Sequence, residues 1–189
     1  MRIGIYGGSF NPFHLAHEYI SLQSIEKLKL DKLIIVPVGI PSHKKNNLED
    51  AVIRIEIIKK IFKDNDKIIV SDIEIKNPNK SFTYDTLMKI KEDYGHDNEF
   101  FEIIGEDSLT YFNEWKHYEE ILKESKLVVF KRRGYKPKFK HENVIFIDNE
   151  YIDISATEIR NRIKNKMSIK GLVNETVEKL IEKEMIDNV

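Results

Sequence analysis

Residues 1–17, Met-Arg-Ile-Gly-Ile-Tyr-Gly-Gly-Ser-Phe-Asn-Pro-Phe-His-Leu-Ala-His, constrain the fold more than any other stretch of the chain. Arg2 to Tyr6 is a β-rich run that stops at Gly7 and Gly8, and helical periodicity begins within a few residues of Pro12. The pattern predicts a strand, a tight glycine turn and a helix. Glycines at 7 and 8 permit positive φ and carry no Cβ, so backbone N–H groups there can approach a ligand closely. Opened onto the positive end of a helix, such a turn seats a phosphate. His14 and His17, three apart at the start of that helix, place both rings on one face, near the phosphates. A helix entry with two exposed imidazoles is the plainer reading of the same residues. Spelling excludes the nearest rival motifs: Gly4, Gly7 and Gly8 do not make Gly-x-Gly-x-x-Gly, no Gly-x-x-x-x-Gly-Lys-Ser/Thr occurs, and Glu18 follows the second histidine, so His-Glu-x-x-His is absent.

The rest of the chain alternates strands and helices. A helix is predicted over 16–28, a doubly buried strand over 33–38, an amphipathic helix over 49–63, a strand over 67–75 and a helix from about Tyr84 to Tyr94 closed by Gly95. Then come a strand over 100–104 ended by Gly105, mostly helix over 107–124, strands over 126–131 and 144–147, a capped helix from Ser155 and a final helix from about Glu175. This order argues for a doubly wound parallel α/β sheet with helices on both faces. The 189 residues fit one domain, since a chain of ~150 already hides roughly 70% of its unfolded surface. Ligands of such sheets bind beyond the carboxyl ends of the strands, at a topological switch point. A net charge of -1 supplies no basic field for nucleic acid, and the chain has no cysteine for disulfides or thiolate metal sites. With no apolar run near ~18 residues and no leader at Met1, the expectation is a cytoplasmic protein that does not enter a membrane.

Gly7-Gly8-Ser9-Phe10-Asn11-Pro12-Phe13-His14-Leu15-Ala16-His17 resembles the signature of the nucleotidyltransferase superfamily with the His-x-Gly-His motif, in the variant of bacterial nicotinate-nucleotide adenylyltransferases. Asn11 stands where Asp is usual and Ala16 where Gly is commoner. Ile154-Ser155-Ala156-Thr157-Glu158-Ile159-Arg160 resembles the second signature of that family. Physically it offers two hydroxyls, free N–H groups and an Arg at a helix start, a second phosphate cradle; an ordinary capping box is the alternative. Pro41-Ser42-His43-Lys44, Ser81-Phe82-Thr83-Tyr84-Asp85-Thr86, Ile104-Gly105-Glu106-Asp107-Ser108-Leu109 with Trp115, and Arg132-Arg133-Gly134 are similar to further family segments, in family order.

The resemblance implies a Rossmann-like fold in one domain, 1–189, with the helices from about 155 carrying the second phosphate motif. It implies an enzyme that moves AMP from ATP to nicotinate mononucleotide, giving nicotinate adenine dinucleotide and pyrophosphate, with Mg2+ arriving on ATP. The implied catalytic residues are His14, His17 and Arg160. ATP falls to Gly7, Gly8, Ser9, Phe10, Gly105, Asp107, Ser155 and Thr157, with Asp107 accepting from ribose hydroxyls. The mononucleotide falls to His43, Lys44, Thr83, Tyr84, Trp115 and Arg132, and no metal-ligating residue is assigned. The partners expected are these two substrates, without nucleic acid or membrane, in a monomer or small homo-oligomer. Nicotinamide mononucleotide or phosphopantetheine as the acceptor, and a non-catalytic nucleotide-binding regulator, are the competing readings.

Overall fold

The computed structural model describes residues 1–39, 48–77, 80–135 and 139–187. In chain order the elements are β1 (Arg2–Gly8), α1 (Leu15–Leu28), β2 (Lys32–Pro37), α2 (Leu48–Ile61), β3 (Ile68–Val70), α3 (Ile73–Lys76) and α4 (Thr83–Tyr94). They continue with β4 (Glu99–Gly105), α5 (Glu106–Leu109), a 3-10 turn (Phe112–Glu114), α6 (Tyr118–Glu124), β5 (Lys126–Phe130), β6 (Val144–Ile147), α7 (Ala156–Lys164) and α8 (Glu175–Asp187). Among the described residues six strands form one sheet in the order β3-β2-β1-β4-β5-β6, every neighbouring pair parallel. The chain works outward from β1 to β3, then crosses back so that β4 pairs with the free side of β1. The strand order therefore reverses between β1 and β4. A crevice opens there at the carboxyl ends of the two strands, at Gly8 and Gly105.

Strand alternation divides the core in two. Phe101, Ile103, Leu33, Ile35, Val128 and Phe130 point to the face covered by α1 and α2, where Ile20, Leu28, Ile58 and Phe62 meet them. Ile3, Ile5, Ile34, Phe100, Leu127 and Val129 point to the other face, under Leu87 and Ile90 of α4 and Ile121 and Leu122 of α6. A smaller cluster, Ile159, Ile169, Val173 and Val177, packs α7 and α8 together, and Ile57 and Ile61 of α2 join it. Asn174 caps α8: its Oδ1 accepts from the Thr176 N–H at 3.0 Å. Among the described residues no helix is long and apolar enough to cross a membrane.

Three local expectations are corrected. The strand expected over 67–75 ends at Val70, because Ser71 Oγ accepts from the Ile73 N–H at 3.3 Å and Lys76 Nζ pairs with Asp72 at 2.9 Å, which together close the short helix α3. The helix expected over 107–124 is broken into α5, a 3-10 turn and α6, since Trp115 is extended and His117 takes φ 59°. α4 begins at Thr83, in keeping with the expected start near Tyr84, and the Phe82 carbonyl accepts its first intrahelical bond, from Thr86 at 3.1 Å. The capping box of α7 is half formed, for Ser155 Oγ accepts from the Glu158 N–H at 3.1 Å while the Glu158 carboxylate turns forward to Arg162 Nε at 2.9 Å.

Candidate active site

The glycine turn works differently from the expectation. β1 runs through Gly7 to Gly8, and neither glycine has positive φ; Phe10 takes it instead, at 46°. What the glycines supply is room. A Cβ at Gly8 would lie 2.7 Å from the Phe10 ring, whereas a Cβ at Gly7 would meet nothing nearer than the Val36 carbonyl at 4.0 Å. Phe10 is thereby tucked under the turn into the core, against Tyr6 and Phe13 at ring-centroid distances of 5.3 Å each. The space above Gly7 stays open.

His14 begins α1 in extended backbone, and its ring stacks on that of His17 at 3.6 Å and 18°. His17 Nδ1 accepts from the His14 backbone N–H at 3.3 Å, so the His17 proton resides on Nε2, free to donate. Phe10 and Phe13 hold the His17 ring from two sides, at 5.0 and 5.3 Å. Burial, reinforced by the positive charge of Arg132, pushes the pKa of His14 down to about 4. Burial first, then His14 and Arg132, pushes His17 well below its ordinary value. Both rings are neutral at pH 7. His14 Nδ1 is buried and, among the described residues, unpartnered.

The second phosphate motif lies against the first. Arg160 of α7 donates from Nη1 to the Asn11 carbonyl at 2.7 Å and from Nη2 to Thr157 Oγ1 at 3.0 Å. Ser155, Thr157 and Arg160 are exposed at that helix start. Beyond β4, Asp107 Oδ2 accepts from Arg132 Nη1 at 2.9 Å, and Glu106 Oε2 accepts from the Arg132 backbone N–H at 2.9 Å. The two residues that the resemblance assigns to ribose and to the mononucleotide thus face each other. Gly105 permits it: a Cβ there would stand 2.4 Å from Asp107 Oδ1 and 3.5 Å from Arg132 Cδ. A cavity of about 170 Å³ lined by Arg132, Arg133, Tyr151 and Ser155, among others, connects this loop with the α7 start.

On the α4 side, the Tyr84 ring lies 5.0 Å from His117, two residues past Trp115, so the Thr83 segment and the tryptophan loop meet. Trp115 is partly buried, with its ring 5.3 Å from Phe112. His43 and Lys44 lie outside the described residues. The sequence reading missed Tyr6, His117, Lys116 and Arg54. Tyr6 is a buried phenol whose pKa burial raises, within reach of the charges of Arg132 and Asp107. Lys116 Nζ sits 4.6 Å over the Phe82 ring at the start of α4. A polar-tipped residue at a strand end could have flagged Tyr6; nothing local flags Arg54, which reaches the Ser9 and Val38 carbonyls, distant in sequence. Among the described residues no group of three or more His, Asp or Glu side chains could hold a metal ion.

Residues 5–162 match the Cytidylyltransferase-like family, which gives the class that a split parallel sheet with two phosphate motifs at its switch point suggests. The chain belongs to that family and, within it, to the nicotinate-nucleotide adenylyltransferases. A protein of Fusobacterium nucleatum named "Probable nicotinate-nucleotide adenylyltransferase" is 55% identical over 99% of this chain and 100% of its own. One from Thermotoga maritima with the same name is 40% identical over 96% of this chain and 91% of its own. The fold is shared with the Plasmodium falciparum nicotinic acid mononucleotide adenylyltransferase complexed with NaAD, at a TM-score of 0.78 and 21% identity, over 98% of this chain and 97% of that one.

Proposed function

We propose that this chain transfers the AMP moiety of ATP to nicotinate mononucleotide, a step of NAD biosynthesis. A phosphate oxygen of the mononucleotide attacks the α-phosphorus of ATP, the bond from that phosphorus to the α,β-bridging oxygen breaks, and pyrophosphate leaves with the electron pair. The nucleophile is already an anion, so the reaction requires neither a strong base nor a covalent intermediate. Catalysis reduces to alignment and to stabilising charge on the phosphates.

The observation that carries the reading is the 2.7 Å bond from Arg160 to the Asn11 carbonyl, which joins the two phosphate motifs over one crevice. His17 Nε2–H and the His14 ring offer neutral donors to the triphosphate, and Arg160 offers charge; N–H groups around Ser9 and Phe10 complete the seat, beside the open face of Gly7 and Gly8. Asp107 takes the ribose hydroxyls, with Gly105 giving it room, and Ser155 and Thr157 add hydroxyls from the α7 start. Arg132 turns from Asp107 to the mononucleotide phosphate, where Lys44 and His43 add to it. Backbone N–H groups at Thr83 and Tyr84, at a helix start, donate to the nicotinate carboxylate, and Trp115 provides a stacking face. Mg2+ enters as part of the ATP substrate, since the chain supplies no carboxylate cage of its own among the described residues. Both substrates are water-borne nucleotides, which supports a cytoplasmic setting, and every residue used comes from one copy of the chain, so a monomer or small homo-oligomer serves equally.

His17→Ala tests the assignment. Removing one preorganised donor costs about 100-fold or more in rate, so pyrophosphate release falls by that factor while the circular dichroism spectrum stays that of the parent. Normal turnover in the variant contradicts the role given to His17.

A further inference from the structure

Two segments carry the mononucleotide half of the site, the loop after β2 and the first turn of α4, and one residue outside both touches both. Glu74 of α3 accepts from Thr86 Oγ1 at 2.8 Å. Thr86 is buried in α4 one turn on from Thr83. Gly39 is the last described residue before 40–47, the segment that holds His43 and Lys44. The backbones also touch: a Cβ at Gly39 would lie 2.2 Å from the Glu74 carbonyl oxygen, so only glycine fits.

The opposite side of this junction is held by Arg54 of α2, which donates to the carbonyls of Val38 at 2.9 Å and of Ser9 at 2.6 Å. The exit of β2 is therefore fixed twice, by Arg54 toward the phosphate turn and by Glu74 toward α4. Burial raises the Glu74 pKa and the bond from Thr86 draws it back. A half-buried carboxylate bonded to one mononucleotide segment, with its own backbone against the other, is a costly way to join the two unless their separation matters.

We propose that Glu74 is a positioning residue for the mononucleotide: it sets the distance between the β2 exit and the start of α4, and leaves the ATP seat to other contacts. The inference rests on the assignment of nicotinate mononucleotide to those two segments. A residue that only stabilised the fold would reduce the amount of active protein and leave both KM values unchanged. A positioning residue moves one KM and spares the other.

The test is steady-state pyrophosphate release by the full chain, with each substrate varied while the other is saturating. Glu74→Ala is expected to raise KM for nicotinate mononucleotide by about tenfold or more and to leave KM for ATP within about twofold. Glu74→Gln, whose amide oxygen still accepts one bond, recovers part of the loss. Thr86→Val, which removes the hydroxyl donor at constant volume, raises the same KM by about threefold. Glu74 and Thr86 line a cavity of about 720 Å³, so water can occupy the space each truncation leaves. Should the alanine variant fail to fold, the Gln and Val variants decide. Mononucleotide KM values within about twofold of the parent in the folded variants, or a parallel rise in both KM values, overturns the inference. A parent enzyme that does not turn over nicotinate mononucleotide at all overturns the assignment beneath it instead.

Discussion

At Gly8 a single methyl group would meet the Phe10 ring at 2.7 Å, and Phe10 in turn holds the ring of His17 at 5.0 Å, so a residue with no side chain sets the posture of one that donates to phosphate. The spacing of the two histidines was legible in the sequence because i, i+3 neighbours on a helix share a face. Their charge state was not, for it depends on burial and on Arg132, which the loop after β5 brings within reach. The unfolded chain takes up protons on these imidazoles near pH 6.5, while the folded protein resists protonating His14 until about 4. The unfolded state then binds more protons, so the contribution of both rings to stability is complete above about pH 6.5 and is lost as pH falls, for His14 toward 4. Urea melts between pH 7 and 4.5 will show stability falling with a slope of up to ~1.4 kcal/mol per pH unit for each such ring. His14→Gln will flatten that slope, and an unchanged slope in the variant counts against neutral burial.

β4 holds a group with the opposite sign. Glu102, in the middle of that strand and facing α4, is buried with Oε1 unpartnered among the described residues, and burial, with Glu74 adding, pushes its pKa up to about 8. Its contribution is present below the unfolded carboxyl range near 4.5 and is lost as pH rises to 8. Between pH 6.5 and 8 the histidines no longer contribute to the slope. Over that window Glu102→Gln will gain stability relative to the parent as pH increases, read as a widening difference in urea midpoint; a constant difference contradicts a protonated Glu102. The strand pattern gave no hint of this residue's state, because alternation says which face Glu102 occupies and not what lies above it. α7 carries both stability and chemistry within one element. Ser155→Ala removes the cap on the Glu158 N–H and costs about 1 kcal/mol in a denaturation curve; Arg160→Ala leaves that curve near the parent and lowers turnover by about 100-fold. The reverse assignment of losses would show that α7 only braces the fold. The helix start at Ser155 was readable from its cap, whereas the bond from Arg160 to Asn11 spans nearly the whole chain and leaves no local trace.

For the molecule as a whole, alternating strands and helices with turn glycines made the parallel α/β class legible, and apolar runs such as Leu33 to Val36 marked strands buried on both faces. The order β3-β2-β1-β4-β5-β6 follows from which strand crosses back to pair with β1, a tertiary choice that no window of sequence encodes. That order puts the ends of β1 and β4, at Gly8 and Gly105, on the two sides of the switch point, and so brings Arg132, paired with Asp107, within electrostatic reach of His14 and His17 although they lie far apart in the chain. The central claim is that this crevice joins ATP to nicotinate mononucleotide. Its most direct test is pyrophosphate release from Mg-ATP with nicotinate mononucleotide, nicotinamide mononucleotide and phosphopantetheine offered separately. Turnover with the nicotinate form well above the amide, and none with phosphopantetheine, is the predicted result. Folded, ATP-binding protein that releases no pyrophosphate with any of the three would contradict the claim.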